Sequence, residues 1–203
     1  MSIKHYIFDM GGVLLKPIPY DLIKNESSFI KCDTPELEDL FYKNFYKYET
    51  GNINTKEFVY NLQPYFNKKD LTPEEYEESY LDIGKKYGGV FDNAYNEIKK
   101  LKEEGNRVYL LSNLHELAFK DFSSLFDTSI FDKLFLSFEI GMIKPDENIF
   151  KYVIKEIDDD PKNMFFFDDK LENVNSAIST GMNAIQTTGN TLTDCIKTMK
   201  NKA

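Results

Sequence analysis

The sequence predicts an α/β fold: a parallel sheet covered by helices on both faces, with a helical unit inserted near its start. Three observations carry this reading. From residue 90 onward, apolar runs of four to five residues alternate with amphipathic segments, the pattern of a sheet buried on both sides. Between residues 16 and 89 the texture differs, being rich in Glu, Lys, Tyr and Asn with apolar residues at helical spacing. Finally, the apolar runs end in residues that bear chemistry, as expected where the carboxyl ends of strands open onto a ligand crevice. The expected division is therefore a core domain from residues 1–15 and 90–203, and a helical cap domain from residues 16–89.

In chain order, Ile3–Phe8 is an apolar run interrupted by Lys4 and His5. It stops at Asp9-Met10-Gly11-Gly12, a strand running into a tight loop, and Pro17 and Pro19 punctuate the exit. In the inserted stretch Leu37, Leu40, Phe41 and Phe45 share a helical face. Thr55-Lys56-Glu57-Phe58 and Thr72-Pro73-Glu74-Glu75 read as helix starts, each with a capping Thr and acids in the first turn. About four helices are expected here. Asn93–Glu104 is a helix stopped by Gly105, and Arg107–Leu111 a strand. Phe131–Ser137, Met164–Phe167 and Ala184–Thr187 are further strands. The intervening helices are Glu116–Ser124, Glu147–Glu156 and Glu172–Thr180, and Leu192–Asn201 is the last.

Composition narrows the function. The chain has 203 residues, 41% hydrophobic and 29% charged, with a formal net charge of −9. That length suits one to two domains at about 150 residues each and needs no disulfide or structural metal to sustain a core. The acidity argues against a nucleic-acid or anionic-membrane binder, which needs a concentrated positive face. Cys32 and Cys195 are too few for a disulfide framework or a four-ligand zinc site. Met1–Tyr6 shows no signal-peptide pattern and no apolar run is long enough to span a bilayer, so a soluble cytoplasmic protein is expected, as a monomer or homodimer.

The segments that follow the strands converge on one chemistry. They are Asp9-Met10-Gly11-Gly12, Ser112-Asn113, Gly141-Met142-Ile143-Lys144-Pro145 and Asp168-Asp169. Three carboxylates, a hydroxyl, an ammonium and a glycine turn on one sheet edge suit a divalent cation and a tetrahedral oxyanion. Carboxylates are hard ligands for Mg²⁺, which shares its shell with substrate phosphate. Asp9 is placed to attack phosphorus, the backbone N–H groups of Gly11 and Gly12 to approach phosphate oxygens, Ser112 and the adjoining Asn113 to bind phosphate, and Lys144 to neutralise developing charge. Singly, each has an ordinary reading as a turn residue, a helix cap or a solvated lysine. All on one edge, they do not read as coincidence.

With these residues in view, the chain resembles the haloacid dehalogenase (HAD) superfamily of phosphohydrolases, in the subgroup with a helical cap after the first strand. The matching segments are Phe8–Leu15, Leu110–Asn113, Gly141–Asp146 and Phe165–Asn173, in family order. Within that superfamily the chain is similar to small bacterial sugar-1-phosphate phosphatases and to the phosphatase domain of soluble epoxide hydrolases. The resemblance implies a Rossmannoid core and Mg²⁺, with Asp9 as nucleophile and Ser112 and Lys144 as phosphate ligands. It implies Asp169 as a direct metal ligand with Asp168 beside it, the Gly11 carbonyl as a further metal ligand, and Asn173 as a supporting polar residue.

One position departs from the family pattern. Most family phosphatases carry a second Asp two residues after the nucleophile as general acid and base, and here that residue is Gly11. Loss of such a group typically costs ~10²–10⁴-fold in rate. His115, three residues past Ser112, is the first candidate to replace it, because imidazole titrates near neutrality. Glu49, in Tyr48-Glu49-Thr50-Gly51-Asn52-Ile53, is a second, although it reads first as a solvated helix-end acid. His5 is expected to pack or hydrogen-bond within its strand. The function expected is a Mg²⁺-dependent phosphatase acting on a small phosphorylated metabolite such as a sugar phosphate. Two alternatives are a 2-haloacid dehalogenase, which leaves the Asp168-Asp169 pair unexplained, and a phosphometabolite-binding protein impaired by Gly11.

Overall fold

The computed structural model describes residues 3–18, 35–66 and 68–201, so Pro19 and Cys32 and the side chain of Leu37 lie outside the described residues. Five strands form one parallel sheet: β1 (His5–Phe8), β2 (Arg107–Ser112), β3 (Lys133–Leu136), β4 (Met164–Asp168) and β5 (Asn183–Gln186). Their spatial order is β3-β2-β1-β4-β5. The chain builds outward from β1 to β3, then crosses back to place β4 on the other side of β1. That reversal puts the crevice of the sheet at the ends of β1 and β4.

Side chains alternate across the sheet with period two. Tyr6, Phe8, Val108, Leu110, Phe165 and Phe167 face one layer. That layer holds Ala94, Ile98 and Leu101 of α4 (Ala94–Glu103), Phe122 of α5 (Glu116–Leu125), and Leu192, Ile196 and Met199 of α9 (Leu192–Lys200). Ile7, Tyr109, Leu111 and Phe166 face the opposite layer, against Ile149, Phe150 and Val153 of α7 (Glu147–Ile157) and Ala177 of α8 (Leu171–Ser179). The apolar strands expected from sequence are thus buried on both sides.

Among the described residues between β1 and α4 are three helices, α1 (Pro35–Glu49), α2 (Thr55–Leu62) and α3 (Pro73–Tyr87), with a 3₁₀ turn at Gln63–Tyr65. Both expected starts are capping boxes, but α2 is capped by Asn54 rather than Thr55. Thr55 serves instead as a tie between elements. Its N–H and hydroxyl donate to Glu116 Oε1 at 2.9 and 2.6 Å, joining α2 to the first turn of α5. Tyr48, Phe58, Val59, Leu62, Phe66, Leu71 and Tyr76 form a separate aromatic-rich cluster that Leu117 of α5 joins.

The strand expected over Phe131–Ser137 is shorter. β3 stops at Leu136 because its ladder partner, Ser112, is the last residue of β2. Ser137 instead opens a one-turn helix, α6 (Ser137–Ile140).

Candidate active site

Register brings the chemistry together. Phe8 is level with Phe167 in the β1–β4 ladder, so Asp9 and Asp168 emerge side by side, and the Asp9 N–H donates to the Phe167 carbonyl at 2.9 Å. Lys144, in the loop between α6 and α7, reaches across both strands. Its Nζ pairs with Asp9 Oδ1 at 2.8 Å and Asp168 Oδ2 at 2.6 Å, and donates to the Leu111 carbonyl at 3.0 Å. The lysine is 3% exposed, so its three donors are fully used inside the protein.

The shell around this triad explains its rigidity. Asn113 holds Lys144 by its backbone: the amide donates to the Lys144 carbonyl and accepts from the Lys144 N–H, both at 2.8 Å. Asn173 Nδ2 donates to both oxygens of Asp168, at 2.9 and 3.0 Å, and the Lys170 N–H donates to Asp168 Oδ1 at 2.8 Å. Asp168 is therefore saturated, whereas Asp169 is half-exposed with its carboxylate against Gly12. Asp9, Asp168 and Asp169 each present an oxygen within 4.8 Å of the others, a donor set suited to a hard divalent cation. The Oδ1 of Asn173 is buried with no partner among the described residues, leaving an unsatisfied acceptor beside this cluster.

Electrostatics follow from this packing. Burial opposes the charge on Lys144, but Asp9 and Asp168 outweigh it and hold the ammonium above the ordinary lysine value. Burial lifts Asp9 above the usual carboxylate range against the pull of Lys144, and the neighbouring Asp168 adds to the rise. Burial, then Asp168, raises Asp169.

The Asp9–Leu15 loop closes on itself. The N–H groups of Leu14 and Leu15 donate to the Met10 carbonyl, and the Gly12 N–H donates to the Leu15 carbonyl at 2.9 Å. Gly12 has φ 75°, and a Cβ on it would lie 2.6 Å from Asp169 Oδ2, so only glycine lets the loop and that carboxylate meet. Gly11 differs: it is exposed, and a Cβ there meets nothing within 4 Å.

The structure thus draws Asp9, Gly11, Ser112, Lys144, Asp168, Asp169 and Asn173 to one crevice, with three departures from expectation. Asn113 does not offer its side chain to phosphate, because both ends are engaged with the Lys144 backbone. The Gly12 N–H is engaged inside the loop, leaving that of Gly11 as the one not needed for loop closure. His115 is buried in the seam between α1, α3 and α5, stacked on Tyr48 at 4.2 Å with Tyr80 edge-on at 5.4 Å. Its Nδ1 accepts from the Ala118 N–H at 3.2 Å as the cap of α5, and burial pushes its pKa down to about 3. A ring so hard to protonate is a poor carrier of protons at neutral pH. His5, as expected, bonds within the core: Nδ1 meets Tyr109 Oη at 3.0 Å and Nε2 meets Asp159 Oδ2 at 2.9 Å. Cys195 is half-buried on α9, away from these groups.

Two residues with little signal in the sequence matter to the site. Ser137 Oγ accepts from the Leu114 N–H at 2.9 Å and lies 2.6 Å from the Glu49 carbonyl, joining the end of α1 to the loop after Ser112. Lys170 supplies the amide to Asp168 and a positive charge near Asp169. Ser137 stands out only as the end of an apolar run, and Lys170 only by its place next to the Asp pair.

Fold and crevice together define a capped α/β hydrolase type, with a carboxylate–lysine cluster at the switch point of a parallel sheet. Residues 3–181 match the haloacid dehalogenase-like hydrolase family, and the chain belongs to it. It is 34% identical to a sesquiterpene phosphatase of Aspergillus oryzae, covering 97% of this chain and 95% of that one. It is 29% identical to a D-ribitol-5-phosphate phosphatase of Bacteroides thetaiotaomicron, over 91% of each. A stronger but shorter match, 40% over 95 residues, is to a drimenol cyclase of Aspergillus calidoustus, of which it takes in 17%. Among solved structures, a HAD-family enzyme of Bacteroides thetaiotaomicron in complex with magnesium and inorganic phosphate superposes with a TM-score of 0.77 at 26% identity, over 93% of this chain and 96% of that one.

Proposed function

We propose that this chain is a Mg²⁺-dependent phosphatase that hydrolyses a small phosphorylated metabolite through an aspartyl-phosphate on Asp9. The observation that carries the reading is the buried Lys144 ammonium held between Asp9 and Asp168. It aligns one Asp9 oxygen and leaves the other as the nucleophile. Asp9 Oδ2 forms a bond to phosphorus as the ester P–O bond breaks; water then attacks the same phosphorus, releasing inorganic phosphate and restoring Asp9. Ser112, whose hydroxyl makes no hydrogen bond to another described residue, and the Gly11 N–H orient the phosphoryl oxygens, and Lys144 offsets their charge. Asp9, Asp169 and the Gly11 carbonyl would hold Mg²⁺, with Asp168 beside them and Asn173 Oδ1 as an acceptor suited to a hydrated ion. When bound, the ion supplies positive charge against the phosphoryl group. The inserted helices α1, α2 and α3 act as the cap, closing over the crevice and selecting the leaving group.

The magnesium and phosphate of the solved relative, and the phosphatase names of the two full-length relatives, support this reading. Those two relatives point to different leaving groups, a sesquiterpene alcohol and a sugar alcohol. A panel of sugar phosphates, D-ribitol 5-phosphate, farnesyl phosphate and an aryl phosphate, assayed with Mg²⁺ and with EDTA, tests the reading. Wild type is expected to turn over at least one alkyl ester only with Mg²⁺, and Asp9→Asn none. Equal inactivity of both across the panel would refute it.

A further inference from the structure

We propose that Glu49, the last residue of cap helix α1, is the proton donor and acceptor of the reaction, standing in for the carboxylate that position 11 lacks. This rests on the phosphatase reading above. Expulsion of an alkoxide needs an acid at the leaving oxygen, and hydrolysis of the aspartyl-phosphate needs a base at the attacking water. The acids, the lysine and the histidine first considered for these roles are already engaged. Asp9 is the nucleophile, Asp168 is saturated by Lys144, Lys170 and Asn173, and Asp169 belongs to the cation cluster. Lys144 is locked in its ion pairs and His115 in its aromatic seam.

The geometry brings Glu49 to the crevice. Its carbonyl lies 2.6 Å from Ser137 Oγ, which also takes the Leu114 N–H two residues beyond Ser112. Just past the helix, Gly51 packs so closely on the backbone of Phe138 that a Cβ would lie 1.9 Å from the Phe138 carbonyl oxygen, and its φ of 67° also demands glycine. The end of α1 is therefore seated on α6 without slack. The carboxylate makes no hydrogen bond to another described residue, yet it feels two ammonium groups, Lys170 next to Asp169 and Lys144 between Asp9 and Asp168. With its backbone seated on Ser137, the Glu49 carboxylate lies within electrostatic reach of the two lysines that flank the carboxylate cluster.

The chemistry suits the position. Burial, only partly offset by Lys170 and Lys144, pushes the Glu49 carboxyl up to about 7. Of the other elements near it, α3 contributes Tyr80, a neutral phenol raised by burial and by Asp121, and α6 contributes the Ser137 hydroxyl while its Glu139 is exposed. In the first step the Glu49 carboxyl gives its proton to the leaving oxygen as the P–O bond breaks. In the second, the carboxylate so formed takes a proton from the water that attacks phosphorus. The residue ends as it began.

The experiment compares wild type, Asp9→Asn, Glu49→Gln and Glu49→Gln/Gly11→Asp on one alkyl and one aryl phosphate, in the steady state and in the first turnover. The open space at Gly11 accommodates the added carboxylate. Asp9→Asn is expected to abolish both activities, whatever Glu49 does. Glu49→Gln is expected to lower alkyl turnover about 10²–10³-fold. With the aryl ester, whose leaving group needs no acid, it should give a stoichiometric burst, then slow turnover as the phosphoenzyme accumulates. The limb of the pH–rate profile near 7 should vanish, and Gly11→Asp should restore at least tenfold of the lost alkyl activity. Equal loss on both esters with no burst and an unchanged pH profile would overturn the proposal, as would undiminished alkyl turnover. An active Asp9→Asn, or a wild type inactive on every ester, would instead remove the phosphatase reading on which it stands.

Discussion

The core crevice and the cap–core seam both bury ionisable groups, and they treat them in opposite ways. In the crevice the buried charges are paired: Lys144 meets Asp9 and Asp168, and Asp168 is further held by Asn173 and the Lys170 amide. Charges there are retained. In the seam His115 lies among Phe45, Tyr48 and Tyr80, with no ion pair among the described residues, and burial keeps it neutral down to about pH 3. Glu49 sits at the border, buried enough to be lifted to about 7 yet close enough to Lys144 and Lys170 to be held there. Fixed charge in the floor and a group titrating near neutrality in the roof are what hydrolysis of a phosphate ester asks of a site.

Removing a partner in the crevice should have the largest effect. Lys144→Met leaves Asp9 and Asp168 facing each other without a counter-charge. We expect loss of at least ~10³-fold in activity, comparable to removal of a transition-state charge partner. We also expect about 3–5 kcal/mol of destabilisation at pH 7, the usual result of orphaning a buried charge. Chemical denaturation without metal should show that deficit shrinking as pH falls and one carboxylate takes a proton. A deficit under about 1 kcal/mol, the worth of an exposed pair, would mean that the lysine is not the keystone of the crevice.

The seam should reveal itself in the pH dependence of stability, with smaller amplitude. His115 has a depressed folded pKa, so the unfolded chain takes up its proton first, and stability falls as pH drops from about 6.5 toward 3. Glu49 has a raised folded pKa, so the unfolded chain releases its proton first, and stability falls as pH rises from about 4.5 to 7. The two slopes oppose each other between pH 4.5 and 6.5. Glu49→Gln should therefore be more stable than wild type above pH 7 by ~1–3 kcal/mol and should steepen the rise of stability with pH below it. His115→Phe should lose the acid-side decline, at a cost of about 1 kcal/mol at pH 7 for the missing cap of α5. Parallel curves for wild type and both variants would break the contrast between roof and floor.

What could be read from the sequence was what lies next to an apolar run. Asp9, Ser112, Asp168 and Asp169 adjoin strands whose alternation and length are local signals, and parallel pairing then levels Asp9 with Asp168 automatically. Lys144 could be suspected from its neighbours in Gly141–Asp146, but its burial between two acids depends on a contact 135 residues from Asp9. Direction and burial were not legible in this way. Asn113 occupies the expected loop, but its amide turns toward the Lys144 backbone, and His115 has the right chemistry in a place that aromatic packing denies to protons. Glu49 looked like a solvated helix end because nothing local reveals that Ser137, 88 residues away, would seat it against the core.

The decisive experiment quenches wild-type enzyme in acid during turnover of an alkyl phosphate with Mg²⁺ and maps any phosphoryl adduct by mass spectrometry. One adduct is expected, on the Asp9 carboxylate, absent without Mg²⁺ and stable enough in Glu49→Gln to approach one per chain with an aryl ester. Turnover with no adduct on Asp9, or an adduct on another residue, would contradict the aspartyl-phosphate route.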